Sequence, residues 1–421
     1  MTGHMRATYT TAVRYQAEAI CRTPLRTAGA GGELDLVLRD WRGRPLIQGS
    51  SLAGALRSWL TDSGRGDLAE RLFGGPDQAG HLLVSDGLFD ERAEVAGRPR
   101  LRLDPASGTA ARRGKFEVAH VCTGARFAFF LTWLGEEPSG EIPAVEQMLA
   151  ALDCGEIRLG AQKSSGFGRV SLQVKKRVYD LRREEDRTAW LEDREDGERL
   201  SLPVLERVEQ VTFTLEGRTD SLLVKESAPE HTARGSCVKN LREGDIPVLP
   251  GASIKGAVRA RATAIARRKG IPAGLLEDLL GKAAGEASAG RARFEDAALS
   301  PDRSRRISRI RINRFTAGAI RGGLFFEEPV CSDLRIRITA PAECRTGCAL
   351  LICALRDLGL GLYTIGSGGA VGRGRIQVRE IAVEAPGGRR ATLAFDEDGA
   401  CAVSDKTGLL REWFQDWEVR A

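Results

Sequence analysis

At 421 residues the chain has room for two domains of ordinary size, each able to bury its own core. Its 63 basic and 57 acidic residues leave a net charge of +6, an excess that permits nucleic-acid binding without requiring it. No apolar run approaches the roughly 18 residues that a membrane span needs, and no secretory signal opens the chain, so a cytoplasmic location with no membrane partner is expected.

In chain order, Thr8 to Ile20 alternates as a strand and Arg26 to Gly32 is a Gly- and Ala-rich loop. Leu34 to Asp40 leads into Leu46-Ile47-Gln48-Gly49-Ser50-Ser51, an apolar run and a glycine before a helix with Leu52, Leu56 and Trp59 at helical spacing and Arg57 on another side. A strand ends at Asp86, and a segment rich in Arg, Asp and Gly follows from Asp90 to Gly114. Phe116 to Val121 and Arg126 to Trp133 read as strands, Ala144 to Leu152 as a helix, and Ile157 to Val174 as a hairpin interrupted by glycines. Strand–helix–strand–strand–helix–strand is the order of a ferredoxin-like unit, an α+β fold with an open antiparallel sheet. A highly charged stretch from Val178 to Pro203 follows, its acids concentrated between Arg182 and Glu198.

The same order then recurs from Val208 to Val383. Ile246-Pro247-Val248-Leu249-Pro250-Gly251-Ala252-Ser253-Ile254-Lys255 repeats the glycine-capped helix start, with Arg259 in the place of Arg57. Gly80 to Asp86 matches Gly290 to Asp296, Leu101 to Phe116 matches Ile310 to Phe325, and Gly166 to Arg169 matches Gly372 to Arg375. The offset stays near two hundred residues and the order never changes, so one domain is written twice. The division read from this is 1–177, a linker over 178–206, and 207–421 ending in a helix with an apolar stripe of Leu410, Trp413, Phe414 and Trp417.

Two features of each repeat suit phosphate. A helix opening at Gly49-Ser50-Ser51 or Gly251-Ala252-Ser253 directs free N–H groups and a positive dipole end outwards. The loops Gly160 to Arg169, with Lys163, Gly166 and Gly168, and Gly366 to Arg375, with Gly372, Arg373 and Gly374, let backbone approach a ligand closely. Neither loop is a nucleotide fingerprint, because each feeds a strand and lacks the Gly-Lys-Ser/Thr ending, so no nucleotide cofactor is expected. Nine cysteines without framework spacing indicate reduced thiols. Cys344, Cys348 and Cys353 lack a CxxC pair, and the last two lie in an apolar helical run, which favours buried thiols over zinc ligands.

Gly-Ser-Ser-Leu-x-Gly-x-Leu-Arg, a Gly-x-Leu-x-x-x-Asp strand, Asp104 to Ala110 with Phe116-Glu117, and a late glycine loop together resemble the RAMP superfamily of CRISPR systems. The closest likeness is to backbone subunits of type III effector complexes, and the tandem arrangement resembles type III-D and III-E fusions. The resemblance implies a palm with an inserted β-hairpin thumb, within Asp90 to Gly114 and within Ser300 to Arg321. It implies as partners a guide RNA (crRNA), its target RNA and other subunits of the complex. Palm helix ends and glycine loops would hold guide phosphates, and the thumbs, carrying Arg112, Arg113 and Arg314, would splay the duplex.

The resemblance also implies a cutting aspartate in the loop before the first helix, with Mg²⁺ or another divalent metal. Asp35 sits in the matching Leu34-Asp35-Leu36 context, and Asp40 reads as a turn cap. In the second repeat the matching stretch, Gly235 to Asn240, has no carboxylate, and Asp245 reads as a turn residue. One endoribonuclease site, at Asp35, is therefore the expectation. A non-catalytic structural subunit is the alternative, and a guide-processing endoribonuclease a third reading.

Overall fold

A computed structural model describes residues 9–27, 37–103, 109–136, 140–194, 196–205, 209–226, 228–232, 235–282, 288–300 and 304–418. Strand Thr11–Cys21 is central to the first sheet because its side chains alternate: Val13, Tyr15, Ala17 and Ala19 are buried, whereas Arg14, Gln16 and Glu18 face the other side. It pairs antiparallel with Arg126–Gly135 on one flank and Val170–Asp180 on the other, so that Ala17 lies opposite both Phe129 and Val174. Leu82–Val84 and Gly87–Phe89 extend the sheet beyond Arg126–Gly135, and Glu198–Arg199 borders Val170–Asp180. Helix α1 (Gly49–Asp62) buries Leu52, Leu56 and Leu60, one turn apart each time. The short α2 (Gly66–Phe73) follows, and α3 (Glu141–Cys154) adds Val145, Met148, Leu149 and Leu152 to the same core.

The segment after Val178 is more than a connector. It forms α4 (Glu184–Leu191) and the strand Glu198–Arg199, and its Ala189 packs with Ala12 and Tyr179 on the side of the sheet away from α1 and α3.

The second sheet repeats the plan. Gln210–Leu222 is central, between Val330–Pro341 and Gln377–Ala385, and Arg293–Phe294 lies beyond Val330–Pro341. Helices α5 (Gly251–Arg268), α6 (Ala273–Leu280) and α7 (Arg345–Gly359) correspond to α1, α2 and α3. The correspondence reaches single hydrogen bonds. Leu159 N–H donates to Gly168 O at 2.9 Å, and Ile365 N–H to Gly374 O at 2.9 Å. In α7, Cys348 and Cys353 point into the core, and burial pushes both thiols up.

The structure departs from the sequence reading in three places. The expected hairpin arm at Ile157 is not a strand: Gly155 ends α3 in a left-handed turn, and the few residues before Gly160 reach their partner through that single Leu159 bond. The thumbs run longer than expected, Val95–Leu103 with Ala110–Val121 in the first repeat and Ile307–Ile312 with Ala319–Glu328 in the second. The second sheet also continues past Ala385 through Arg389–Phe395 and Cys401–Ser404.

Contacts divide the chain into two compact units. One comprises Met1–Ala96, Ala119–Lys163 and Phe167–Glu206; the other comprises Gly97–Val118, Ser164–Gly166 and Arg207–Ala421. Among the described residues, no helix is long and apolar enough to cross a membrane.

The last helix, α8 (Leu409–Glu418), closes the second core. Asp405 accepts from the N–H groups of Leu409 (2.8 Å) and Leu410 (2.9 Å), capping it, and Leu409, Leu410 and Trp413 are buried, with the Trp413 ring 6.2 Å from Phe213. Trp413→Ala should therefore cost about 3–5 kcal/mol in urea unfolding. Truncation after Lys406 should likewise lower the thermal midpoint; an unchanged midpoint would mean that this helix contributes nothing to the fold.

Candidate nucleic-acid interface

Both helix starts are made by the same device. A Cβ on Gly49 would lie 2.5 Å from the Val84 carbonyl oxygen, and one on Gly251 would run into the Phe294 carbonyl, so only glycine lets the following strand pass this close. The aspartate that ends each strand then accepts the helix's first N–H: Gly49 to Asp86 Oδ1 and Gly251 to Asp296 Oδ1, each 2.7 Å. The positive helix end thus already carries a carboxylate of its own. Gly49 and Gly251 are buried, Ser50 and Ser51 are exposed, and Ser253 is half-buried. Sequence reasoning had assigned the glycines to RNA and missed the aspartates, although their offset in both repeats was the available signal.

Asp296 has a second task. Arg98, only 1% exposed, donates to Asp296 Oδ2 at 2.6 Å and to Glu243 at 2.7 Å, so the root of the Val95–Leu103 strand is locked within the second unit. Burial works against the guanidinium's charge, but the two carboxylates more than offset it and hold it protonated. Towards the tip the strand opens, with Arg100 half-buried and Arg102 exposed. On the returning strand Arg112 and Arg113 are exposed, and Phe116 beside them is exposed as well.

The second hairpin shows the same grading. At its root Glu327 accepts from Arg373 Nε (3.0 Å) and Arg309 (3.2 Å). At its tip Arg314 is exposed, with its guanidinium 4.8 Å from the ring of Phe315, which is 84% exposed. Arg306 and Arg311 lie over Phe326 (4.6 Å) and Phe325 (5.7 Å). Arginine beside exposed aromatic surface is the pairing that suits unstacked bases and backbone phosphate together.

Two of the arginines expected to meet phosphate are committed elsewhere. Arg373 is buried on Glu327 and Ser221, where it ties its glycine loop to the hairpin. Arg259 donates to the last carbonyls of α6, those of Leu280 and Gly281, and so caps that helix. Arg375 and Lys163 are exposed, Arg57 and Arg169 half-buried. Among the loop glycines, Gly160, Gly366 and Gly372 are exposed, whereas Gly166, Gly168 and Gly374 are buried; the last two lie against the backbone of Leu159 and Ile365. Lys255 donates to Ser164 Oγ at 2.9 Å, and burial, then the charges of Arg259 and Arg100, push its pKa down to about 8. Asp35 lies outside the described residues. Asp40 does cap a turn: it accepts from the N–H groups of Arg42 (2.9 Å) and Arg44 (2.8 Å) and from the Arg44 side chain. Burial alone would raise its pKa, but those bonds lower it on balance. Asp245 is an exposed turn residue.

The geometry defines a tandem palm protein, two ferredoxin-like sheets each carrying a long basic hairpin with aromatic surface. The sequence model of the RAMP superfamily matches residues 18–171 and again 235–377, well over half of the chain, and the chain belongs to that family, the RNA-binding proteins of CRISPR systems. No curated protein matches it.

Two outcomes test this description. Arg98→Ala strands two half-dry carboxylates and should lower stability by about 3–5 kcal/mol in urea unfolding; a loss under 1 kcal/mol would show that the lock is dispensable. Lys255 carries a folded pKa below its unfolded value, so its penalty is complete below about pH 8 and fades as pH rises towards 10.5. Any stability that Lys255→Met gains over wild type should shrink across that window in paired thermal scans.

Proposed function

We propose that the chain is a backbone subunit of a type III CRISPR effector complex, holding guide RNA and its duplex with target RNA, and that its first repeat cuts the target. The observation that carries the reading is the pair of hairpins, each fixed at its root by buried ion pairs and each exposing arginine and apolar side chains beyond them. A guide carrier has to contact backbone without reading sequence, and arginine on a rigid hairpin does that. It also has to hold successive stretches of guide alike, which a duplicated palm supports. The hairpin written in the first repeat is part of the second unit's fold, a sharing suited to a subunit built to continue along a filament.

Cutting falls to Asp35. The corresponding stretch of the second repeat, Gly235–Lys239, is a strand paired in parallel with the hairpin strand Ala319–Glu328 and contains no carboxylate. Asp40 has both oxygens occupied by Arg42 and Arg44, which leaves Asp35 as the loop's carboxylate for Mg²⁺. A divalent metal there would stabilise charge on the phosphate under attack, with RNA oxygens completing its shell.

In the assembled complex, Asp35→Ala should abolish one cut in a mapped target while guide and target binding persist. It should change stability by less than about 1 kcal/mol, because it removes a loop charge and no core volume. Asp245→Ala should leave every cut in place. A full cleavage ladder from Asp35→Ala would reject the catalytic assignment and leave a structural subunit.

A further inference from the structure

The side of the first sheet away from α1 and α3 carries a cationic depression of about 270 Å³, open to solvent, that the reading above does not use. Strand alternation creates it. The same period that buries Val13 and Tyr15 puts Arg14 and Gln16 on this side, and the register sets Arg177 opposite Arg14 and Lys175 opposite Gln16. Arg194 lines the depression from the segment after α4, and Phe130 and Tyr179 supply its aromatic walls.

Two guanidiniums at directly opposed positions repel one another, so the site costs stability unless an anion lies between them. Aromatic rings keep the charges in place: the Arg14 guanidinium is 4.4 Å from the Trp190 ring, and that of Arg177 is 4.7 Å from Tyr179. The anions in the free chain are Asp193, paired with Arg14, and Asp196, paired with Arg177. Both carboxylates are mostly exposed, whereas the two arginines are largely covered. Surface pairs of this kind hold weakly, and a phosphate group, with more oxygens and more charge, suits two facing guanidiniums better than two separate carboxylates.

We propose that Arg14, Lys175, Arg177 and Arg194 form a phosphate-binding site on this face, and that Asp193 and Asp196 occupy it as internal competitors until a phosphate group displaces them. Single-stranded RNA and small phosphate anions share the chemistry. Phe130 lies at the floor, and Arg199, exposed on the neighbouring strand opposite Lys175, would carry a phosphate chain onward, which favours RNA.

The test uses the full chain at low salt, with a fluorescent ten-nucleotide uridine RNA read by anisotropy and inorganic pyrophosphate as a second probe. Asp193→Asn with Asp196→Asn should tighten RNA binding about fivefold, and adding Arg177→Gln to that pair should cancel the gain. Glu184→Gln with Glu185→Gln changes net charge equally on exposed α4 positions and should leave affinity near wild type. If millimolar pyrophosphate removes only the added affinity, the site is confirmed with small phosphates among its ligands; if it does not, the site is confirmed as one that prefers RNA. An unchanged affinity in the Asp193/Asp196 variant overturns the proposal, as does an equal gain in the Glu184/Glu185 control. The outcome is independent of Asp35, because no arm reads cleavage.

Discussion

The carboxylate at the end of the second palm strand holds each half of this protein together. Asp86 and Asp296 each accept the first N–H of a palm helix at 2.7 Å, and each needs a glycine at the helix start so that the strand can pass. The bond fixes where the helix begins relative to the sheet, and hence where Leu52, Leu56 and Leu60, or Ile254, Val258 and Ala262, enter the core. In the second unit the same carboxylate also grips Arg98. One side chain there sets both the helix start and the root of a hairpin. Disturbing Asp296 would loosen both together, which makes that aspartate a coupling point and not merely a cap.

The arrangement changes how the helix ends should be understood as RNA contacts. A helix N-terminus with every N–H free would attract phosphate through its dipole. Here the first N–H is taken and a negative charge sits beside it, so phosphate would have to use the next N–H groups and the exposed hydroxyls of Ser50 and Ser51. Attraction then has to come from farther out, from hairpin arginines such as Arg112, Arg113 and Arg314, which are exposed. Charge at the tips and neutralisation at the roots is a division of labour: the roots are rigid because their ions are paired, and the tips are available because theirs face solvent.

Much of the fold was legible because duplication and alternation are backbone properties. Strand order, the capped helices and the glycine loops follow from period, glycine placement and repetition, and all were readable without coordinates. Burial of charge was not. Arg98, Arg100 and Arg102 alternate on one face of one strand, so periodicity treats them alike; only the approach of Asp296 and Glu243 separates the buried one from the exposed one. Arg373 was misread for the same reason. It follows a glycine in a loop that looks built for phosphate, and nothing local reveals that Glu327, 46 residues earlier, reaches it. Ion pairs between distant segments leave no periodic trace in a sequence.

The charged stretch after Val178 shows the converse. Its composition reads as a solvated linker, and its acids are solvated, yet they are also placed. Trp190 and Ala189 pin α4 to the sheet, and that anchoring delivers Asp193 and Asp196 to the two arginines that face each other across adjacent strands. Without those anions the face would hold like charges side by side with only aromatic contacts to offset the repulsion. Composition alone counts such acids as ballast against a basic chain. Geometry makes them specific partners, and a partner held by a weak, exposed pair is one that a better anion can replace.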